Sequence, residues 1–300
     1  MLCPVATGSD HWSRWLLERR HAGDARQRTT VLEHLGPIRD RVLANAGPID
    51  GATLLDVGAG DGLIGLEALD RVGPEGTVIF SDISPALVER CEEIVVERGL
   101  LDRARFVVTA AEDLDEIADG SVDVLTTRSV LIYVAAKADA FTAFHRVLRP
   151  GGRISLFEPI NRLTFPEPPD RFYGYDVADV AELAHEVRAA FEELHDPASA
   201  TMTDFDAGDL VRLAEEAGFE RVHCDCHIDV EPGQPPQAAD VETLLDTSPN
   251  PLAPTIREAI DQALTPQQRN RFVAHLRRAH EERRQVKRLA VAYLAAGKTE

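Results

Sequence analysis

Apolar positions change their spacing several times along this 300-residue chain. Between residues 10 and 45 they recur at helical intervals, with Trp12, Trp15 and Leu16 beside Arg19 and then Val31, Leu32 and Leu43. Both tryptophans lie here, three apart on one face. That spacing predicts a helical segment ahead of the first strand, with Trp12 and Trp15 anchoring it and roofing a ligand site. Short apolar runs then alternate with amphipathic ones. Strands are predicted over 53–57, 77–80, 105–108, 122–126 and 153–157. Ser84 is a candidate N-cap with Pro85 at the first helical position. Leu87, Val88, Cys91, Ile94 and Val95 form the stripe of that helix, and Gly99 is its stop. A further helix over 141–148 ends at Pro150-Gly151-Gly152. Alternation at these lengths implies a parallel sheet covered by helices on both faces.

The alternation breaks after the fifth strand. Residues 159–169 are proline-rich, and Val177, Val180, Ala184, Val187, Phe191 and Leu194 then recur at three- and four-residue spacing. This stretch reads as an inserted cap. Asp206, with Asp209 three places on, opens a helix that ends at Gly218 and leads into a strand over 221–230. A proline-rich connection over 231–255 follows. Thr265-Pro266-Gln267-Gln268 then starts a helix that turns Phe272, Leu276 and Ala279 inward. The apolar run 289–296 reads as a last strand, with a helix as the alternative because Ala is frequent. The expected divisions are an N-terminal helical lid (1–48), a Rossmann-like core (49–159), an inserted cap (160–204) and a completion of the sheet (205–300) with a helical insertion at about 231–287.

Composition narrows the function classes. A hydrophobic fraction of 44% supports a core. The net charge of −19, from 32 basic and 51 acidic residues, argues against an obligatory nucleic-acid partner. The basic run from Arg277 to Arg288 is interleaved with Glu281 and Glu282 and reads as a solvated helix face. No signal segment and no bilayer-length apolar run is present, so no membrane partner is expected. The four cysteines, Cys3, Cys91, Cys224 and Cys226, form no disulfide framework and no CxxC pair, and the reducing cytosol is the consistent compartment.

The candidate chemistry begins at Leu54-Leu55-Asp56-Val57-Gly58-Ala59-Gly60-Asp61-Gly62, a buried strand running into a glycine loop. A helix start follows at Leu63. Alternate glycines let a ligand approach the backbone, and free N–H groups at a helix start favour an anionic group. The dinucleotide fingerprint would place its third glycine at position 63, where this chain has Leu, so a nicotinamide cofactor is disfavoured. Ligands of open α/β sheets sit outside the carboxyl ends of the strands. Asp56, Asp82, the run Ala111-Glu112-Asp113, the pair Arg128-Ser129 and Glu158 all fall at such ends.

In order and spacing, these segments resemble the class I S-adenosylmethionine-dependent methyltransferases. The matching stretches are Leu55 to Gly62, Ser81-Asp82-Ile83-Ser84, Ala111-Glu112-Asp113-Leu114, Ser121 to Val134 and Arg146 to Gly152, with the helix–Ala-Gly-Phe–strand segment at 209–222. The resemblance implies a seven-stranded, mostly parallel sheet with an antiparallel last strand, and S-adenosylmethionine as cofactor, leaving S-adenosylhomocysteine. It implies that Gly58, Gly60 and Gly62 give the cofactor room and that Asp56 accepts near its ammonium. Asp82 would take the ribose hydroxyls and Ile83 the adenine face. Ala111 with Glu112 or Asp113 would meet the adenine amino group, and Arg128 and Ser129 would border the methionine end. Ala110 departs from the pattern, since many relatives carry Asp there.

Methyl transfer is a displacement at a sulfonium carbon, in which the protein supplies alignment and excludes water. A hydroxyl or carbon acceptor usually needs deprotonation, an amine less so. Tyr133 and Glu158 are the candidate catalytic groups, and Asn161, Tyr173 and Tyr175, with the two tryptophans, are candidate substrate contacts. Two caps over the strand ends favour a small-molecule acceptor methylated on nitrogen or oxygen, and the acidic chain favours a cationic one. The alternatives are a cofactor-binding scaffold without turnover and arsenite-type methylation. His223, Asp225 and His227 alternate with Cys224 and Cys226 on one strand, which reads as a solvated edge with no metal. The oligomeric state stays open, with a homodimer among the options.

Overall fold

A computed structural model describes residues 10–21, 25–233 and 241–299, with backbone alone at 21 and 25–34. Cys3, the first residues of the expected lid and positions 234–240 of the proline-rich connection lie outside the described residues. The strands are β1 (Thr53–Val57), β2 (Thr77–Asp82), β3 (Ala104–Val108), β4 (Val122–Arg128), β5 (Leu148–Pro159), the short hairpin β6 (Arg171–Phe172) and β7 (Tyr175–Asp176), β8 (Glu220–Pro232) and β9 (Val286–Gly297). The helices are α1 (His11–Leu17), α2 (Ala25–Asn45), α3 (Gly65–Arg71), α4 (Pro85–Glu97), α5 (Lys137–Val147), α6 (Ala181–Leu194), α7 (Ala207–Glu216), α8 (Val241–Asp246), α9 (Ile256–Ala263) and α10 (Pro266–Glu281).

Seven strands form one sheet in the order β3-β2-β1-β4-β5-β9-β8. β9 runs antiparallel to both its neighbours, and the pairs from β3 through β5 are parallel. Consecutive residues of a strand face opposite sides, so a sheet covered on both faces needs apolar residues in succession. Leu54 and Leu55 meet that need, and both are fully buried. Leu54 packs with Val42 and Leu43 of α2 and Leu69 of α3, whereas Leu55 belongs to the layer of Phe141 and Phe144 on α5 and Leu210 on α7. Strand order reverses between β1 and β4, which opens a crevice at their carboxyl ends.

A third core lies outside the sheet. Phe172, Tyr175 and Val187, from the insertion after β5, pack with Leu245, Ile260, Phe272 and Leu276, from the insertion between β8 and β9. The two expected insertions therefore share one hydrophobic interior and form a single cap. Burial of a side chain such as Phe272 contributes about 2–3 kcal/mol. The cap also holds α1. The indole N–H of Trp15 donates to the Ser248 carbonyl at 2.9 Å, and Arg19 reaches both carboxylate oxygens of Glu258 at 3.1 and 2.9 Å.

Local signals were mostly realised. The Ser84 hydroxyl oxygen accepts from the Leu87 N–H at 3.2 Å, and Asp206 and Thr265 each close a capping box. One start moved: α3 begins at Gly65, not at Leu63. Residues 61–64 form a turn, because Gly62 holds a positive φ of +86° and breaks helical geometry.

Candidate cofactor and acceptor site

β1 delivers the chain into the glycine loop with left-handed backbone at Gly58 (φ +66°) and Gly60 (φ +58°). A Cβ on Gly58 would stand 2.3 Å from a methyl of Val130, so no side chain fits there. The Gly60 N–H donates to one oxygen of Asp82 at 2.9 Å, and the Ser84 N–H donates to the other at 2.9 Å. The carboxylate at the end of β2 is thereby fixed, and lone pairs remain on both oxygens for a diol. Burial raises the Asp82 carboxyl, while these N–H groups pull it down. Ile83 beside it is 54% exposed and presents an apolar face.

A cavity opens over this loop. Its floor is Val57, Gly58, Gly60, Asp82 and Ile83; one wall is Thr109, Ala110, Ala111 and Glu112; the other is Arg128, Ser129, Val130 and Tyr133. Its roof is α1, through Trp12, Trp15 and Leu16. A Cβ on Gly60 would lie 3.2 Å from the Leu16 side chain, so α1 sits directly on the loop. Trp12 meets Tyr133 edge-on with ring centres 5.0 Å apart. Asp10 fastens the other end of α1: one oxygen accepts from the Ser13 N–H at 2.9 Å, and the other accepts from the Ser84 hydroxyl at 2.6 Å.

The far end of the cavity carries positive charge. Burial lowers the Arg128 guanidinium, with Asp61, Asp56 and Glu158 opposing. Its hydrogen bond to Ser129 Oγ is long, at 3.5 Å, which leaves most of its five donors for a ligand. Arg20, on the turn after α1, lies 5.3 Å over the Trp15 ring. Burial and then Arg128 lower the Arg20 guanidinium to about 10, against the pull of Asp61 and Tyr133. Ser129 holds left-handed backbone at φ +57°, a conformation that costs a non-glycine residue about 1 kcal/mol or more.

Glu158 explains how that conformation is held, and its position corrects the catalytic expectation. It is fully buried. Its carboxylate accepts the N–H groups of Val130, Leu131 and Ile132 at 3.0, 3.0 and 3.3 Å. Burial pushes it up to about 7, with those donors and Arg128 pulling down. Glu158 pins the segment that carries Arg128 to Tyr133 and does not face the cavity. Tyr133 does line the cavity, but burial raises its phenol well above the ordinary range.

Other expected contacts also separate. Asp56 is buried beneath the loop, where one oxygen accepts from the Thr126 hydroxyl and the other from the Gly65 N–H, both at 2.9 Å, so it does not line the cavity. A Cβ on Gly62 would meet Leu66, so that glycine serves packing, and Asp113 is exposed away from the cavity. Tyr175 bonds His280 Nδ1 through its hydroxyl at 3.0 Å within the cap, and Tyr173 packs on Phe172 and Phe191. Neither of them lines this cavity, nor does Asn161 on the turn after β5. Leu16, Thr109, Val130 and Arg20 were not foreseen. Leu16 was legible as the residue one helical turn after Trp12.

A family model described as a methyltransferase domain matches residues 49–218. The chain belongs to the class I S-adenosylmethionine-dependent methyltransferases. It is 30% identical over 155 residues to a ubiquinone/menaquinone biosynthesis C-methyltransferase UbiE of Idiomarina loihiensis, covering 51% of this chain and 60% of that protein. It is 30% identical over 159 residues to an arsenite methyltransferase of Halobacterium salinarum, covering 52% of this chain and 34% of that one. The chain thus spans less than two thirds of the length of these relatives. In fold it matches a putative sarcosine dimethylglycine methyltransferase of Galdieria sulphuraria, with a TM-score of 0.52 and 17% identity over 97% of this chain and 99% of that one.

The donors present fit the family's cofactor: a fixed carboxylate for a diol, an exposed apolar side chain beside it, side-chain-free backbone and an under-used guanidinium at the opposite end. Cys224 and Cys226 lie on β8, at the far edge of the sheet, and among the described residues no group of three or more His, Cys, Asp or Glu could hold a metal ion. Among the described residues no helix is long and apolar enough to cross a membrane.

Proposed function

We propose that the protein methylates a small-molecule acceptor with S-adenosylmethionine, and that the acceptor reacts as an oxyanion. The carrying observation is the cavity itself, with Asp82 fixed by Gly60 and Ser84 at one end and Arg128 beneath Trp12 and Tyr133 at the other. The bound cofactor supplies the electrophilic methyl group. Gly58 and Gly60 bring bare backbone to the cavity floor, Asp82 takes the ribose hydroxyls, Ile83 meets the adenine, and Glu112 with the Ala111 backbone meets the adenine amino group. Arg128 and Ser129 border its methionine end, and Trp12 and Trp15 keep water out.

Net charge suggested a cationic acceptor, but a site responds to the groups nearest it. Arg128 lines the cavity, with Arg20 behind it over the Trp15 ring, and the two expected proton acceptors are a pinned carboxylate and a phenol with a raised pKa. Those guanidinium groups stabilise an acidic hydroxyl or enol as its anion and disfavour a charged amine. Oxygen is therefore the favoured nucleophile, or a carbon conjugated to it. The test is turnover of methyl-labelled cofactor against matched hydroxyaromatic, enolic and amine panels. Transfer to acidic hydroxyl or enol compounds is expected, and equal transfer to amines would remove the oxyanion reading. That neither Glu158 nor Tyr133 is placed as a free base also supports a second reading, a cofactor-binding protein without turnover. Calorimetric binding of the cofactor with no transfer across all panels would favour it.

A further inference from the structure

β8 is the last strand of the sheet, and its outer edge is unpaired among the described residues. It is long, spanning Glu220–Pro232, and regular pairing with β9 runs from His223 to its end, after an irregularity between Glu220 and His223. Ile228 and Val230 are 59% and 54% exposed. A strand of this kind is a template for another strand. We propose that its occupant is the β8 strand of a second copy of this chain, paired antiparallel about a two-fold axis through Cys226.

The register is selected by charge. Two copies of one strand paired antiparallel must place residues of equal parity opposite each other, so the axis passes through a residue. With the axis at Cys226, Asp225 faces His227 of the second copy, His223 faces Asp229, Val222 faces Val230 and Cys224 faces Ile228. Each of these contacts occurs twice. Asp225 and Asp229 each then meet an imidazole, which can donate to them, Glu231 meets Arg221, and every apolar residue from Val222 to Val230 meets an apolar one or a thiol. Neighbouring registers fail. An axis at Asp225 sets Asp225 against itself, one at His227 sets Asp225 against Asp229, and one at Ile228 sets Asp225 against Glu231. An axis at Cys224 avoids like carboxylates but pairs only 220 to 228, whereas the axis at Cys226 pairs the whole strand from 220 to 232. Like charges directly opposite on paired strands destabilise, and opposite ones stabilise.

The faces agree with this arrangement. Val222 and Cys224 pack against the layer formed by α5 and α7, and Ile228 and Val230 lie on the same face beyond that cover. Pairing about Cys226 brings the exposed Ile228 and Val230 of each copy beside the partly covered Cys224 and Val222 of the other. On the opposite face Arg41 bonds both Asp225 and His227, at 2.7 and 2.9 Å, and holds them in place for the second copy. An interface of this kind is isologous and closes at two subunits.

The test uses the full chain. Sedimentation should show a dimer at micromolar concentration. His223→Asp sets carboxylates opposite Asp229 twice and should weaken the dimer about tenfold or more. Adding Asp229→Lys to it should restore the dimer. Cys226 is exposed and would sit on the axis. Oxidation with diamide, which takes the two electrons and two protons of a thiol pair, should give a covalent dimer that Cys226→Ser abolishes and Cys3→Ser does not. A monomer at all concentrations overturns the proposal. So does a dimer that is indifferent to His223→Asp and is not crosslinked through Cys226.

Discussion

The floor and the roof of the cavity are built in different ways. The floor and walls, from the end of β1 to the segment after β4, come from one continuous stretch in which successive strand ends supply their own pieces: Gly58 and Gly60, then Asp82, then Ala111 and Glu112, then Arg128. The roof is assembled from segments far apart in the chain. α1 lies on the loop, and its Trp15 is held by Ser248, whose own segment belongs to a cap that joins residues around 172–187 to residues around 245–276. A floor made of successive strand ends is fixed once the sheet forms. A roof made of remote segments depends on their mutual packing.

That contrast can be broken in four places. The largest effect is expected from Phe272→Ala, which opens a void in the cap core and costs about 3–5 kcal/mol. Calorimetric melting should show the cap loosening ahead of the sheet; one unshifted transition would deny the cap an interior of its own. Next, Asp82→Ala removes the fixed carboxylate of the floor. Cofactor affinity should fall about 30–100-fold, roughly 2–3 kcal/mol, with the fold retained. Unchanged affinity in a calorimetric titration would remove Asp82 from the site.

The third concerns Asp56, which burial pushes up to about 7 beneath the floor. A carboxyl raised above its unfolded value binds its proton more tightly in the folded chain. Its stabilisation is complete below about pH 4 and is lost as the pH rises towards 7. Relative to Asp56→Asn, the wild type should therefore lose stability progressively across that window. A stability difference that does not vary with pH would contradict this. The smallest effect is expected from Trp15→Phe, which keeps the ring and removes the donor to Ser248, at about 1 kcal/mol. It should raise the cofactor dissociation rate in stopped-flow measurements, and an unchanged rate would mean that the tie to the cap does not hold the roof.

Legibility in the sequence followed the same division. Strand and helix order, the caps at Ser84, Asp206 and Thr265, and the buried place of Cys91 all depend on neighbours a few residues away, which is where local pattern carries information. The Thr255–Glu258 capping box of α9 carries the same signal, at the end of the stretch 231–255 read as a connection and within the expected helical insertion. The union of two insertions in one core could not be read, because it pairs apolar faces roughly 70–100 residues apart and each face looks complete alone. That Glu158, Asp56, Tyr173 and Tyr175 stand outside the cavity was hidden for a related reason. Position at a strand end or in a cap does not say which way a side chain turns. Glu158 turned to three backbone N–H groups, and Asp56 turned to Thr126 and Gly65.

Ser84 caps α4, donates its N–H to Asp82 and donates its hydroxyl to Asp10 at the start of α1. One residue therefore fastens the carboxylate of the floor and the latch of the roof. Leu16 already rests on Gly60, so a ligand reaches or leaves that backbone only when the latch opens. Its residence time is then governed by how often α1 lifts, and tight contacts with the floor are not required for slow release.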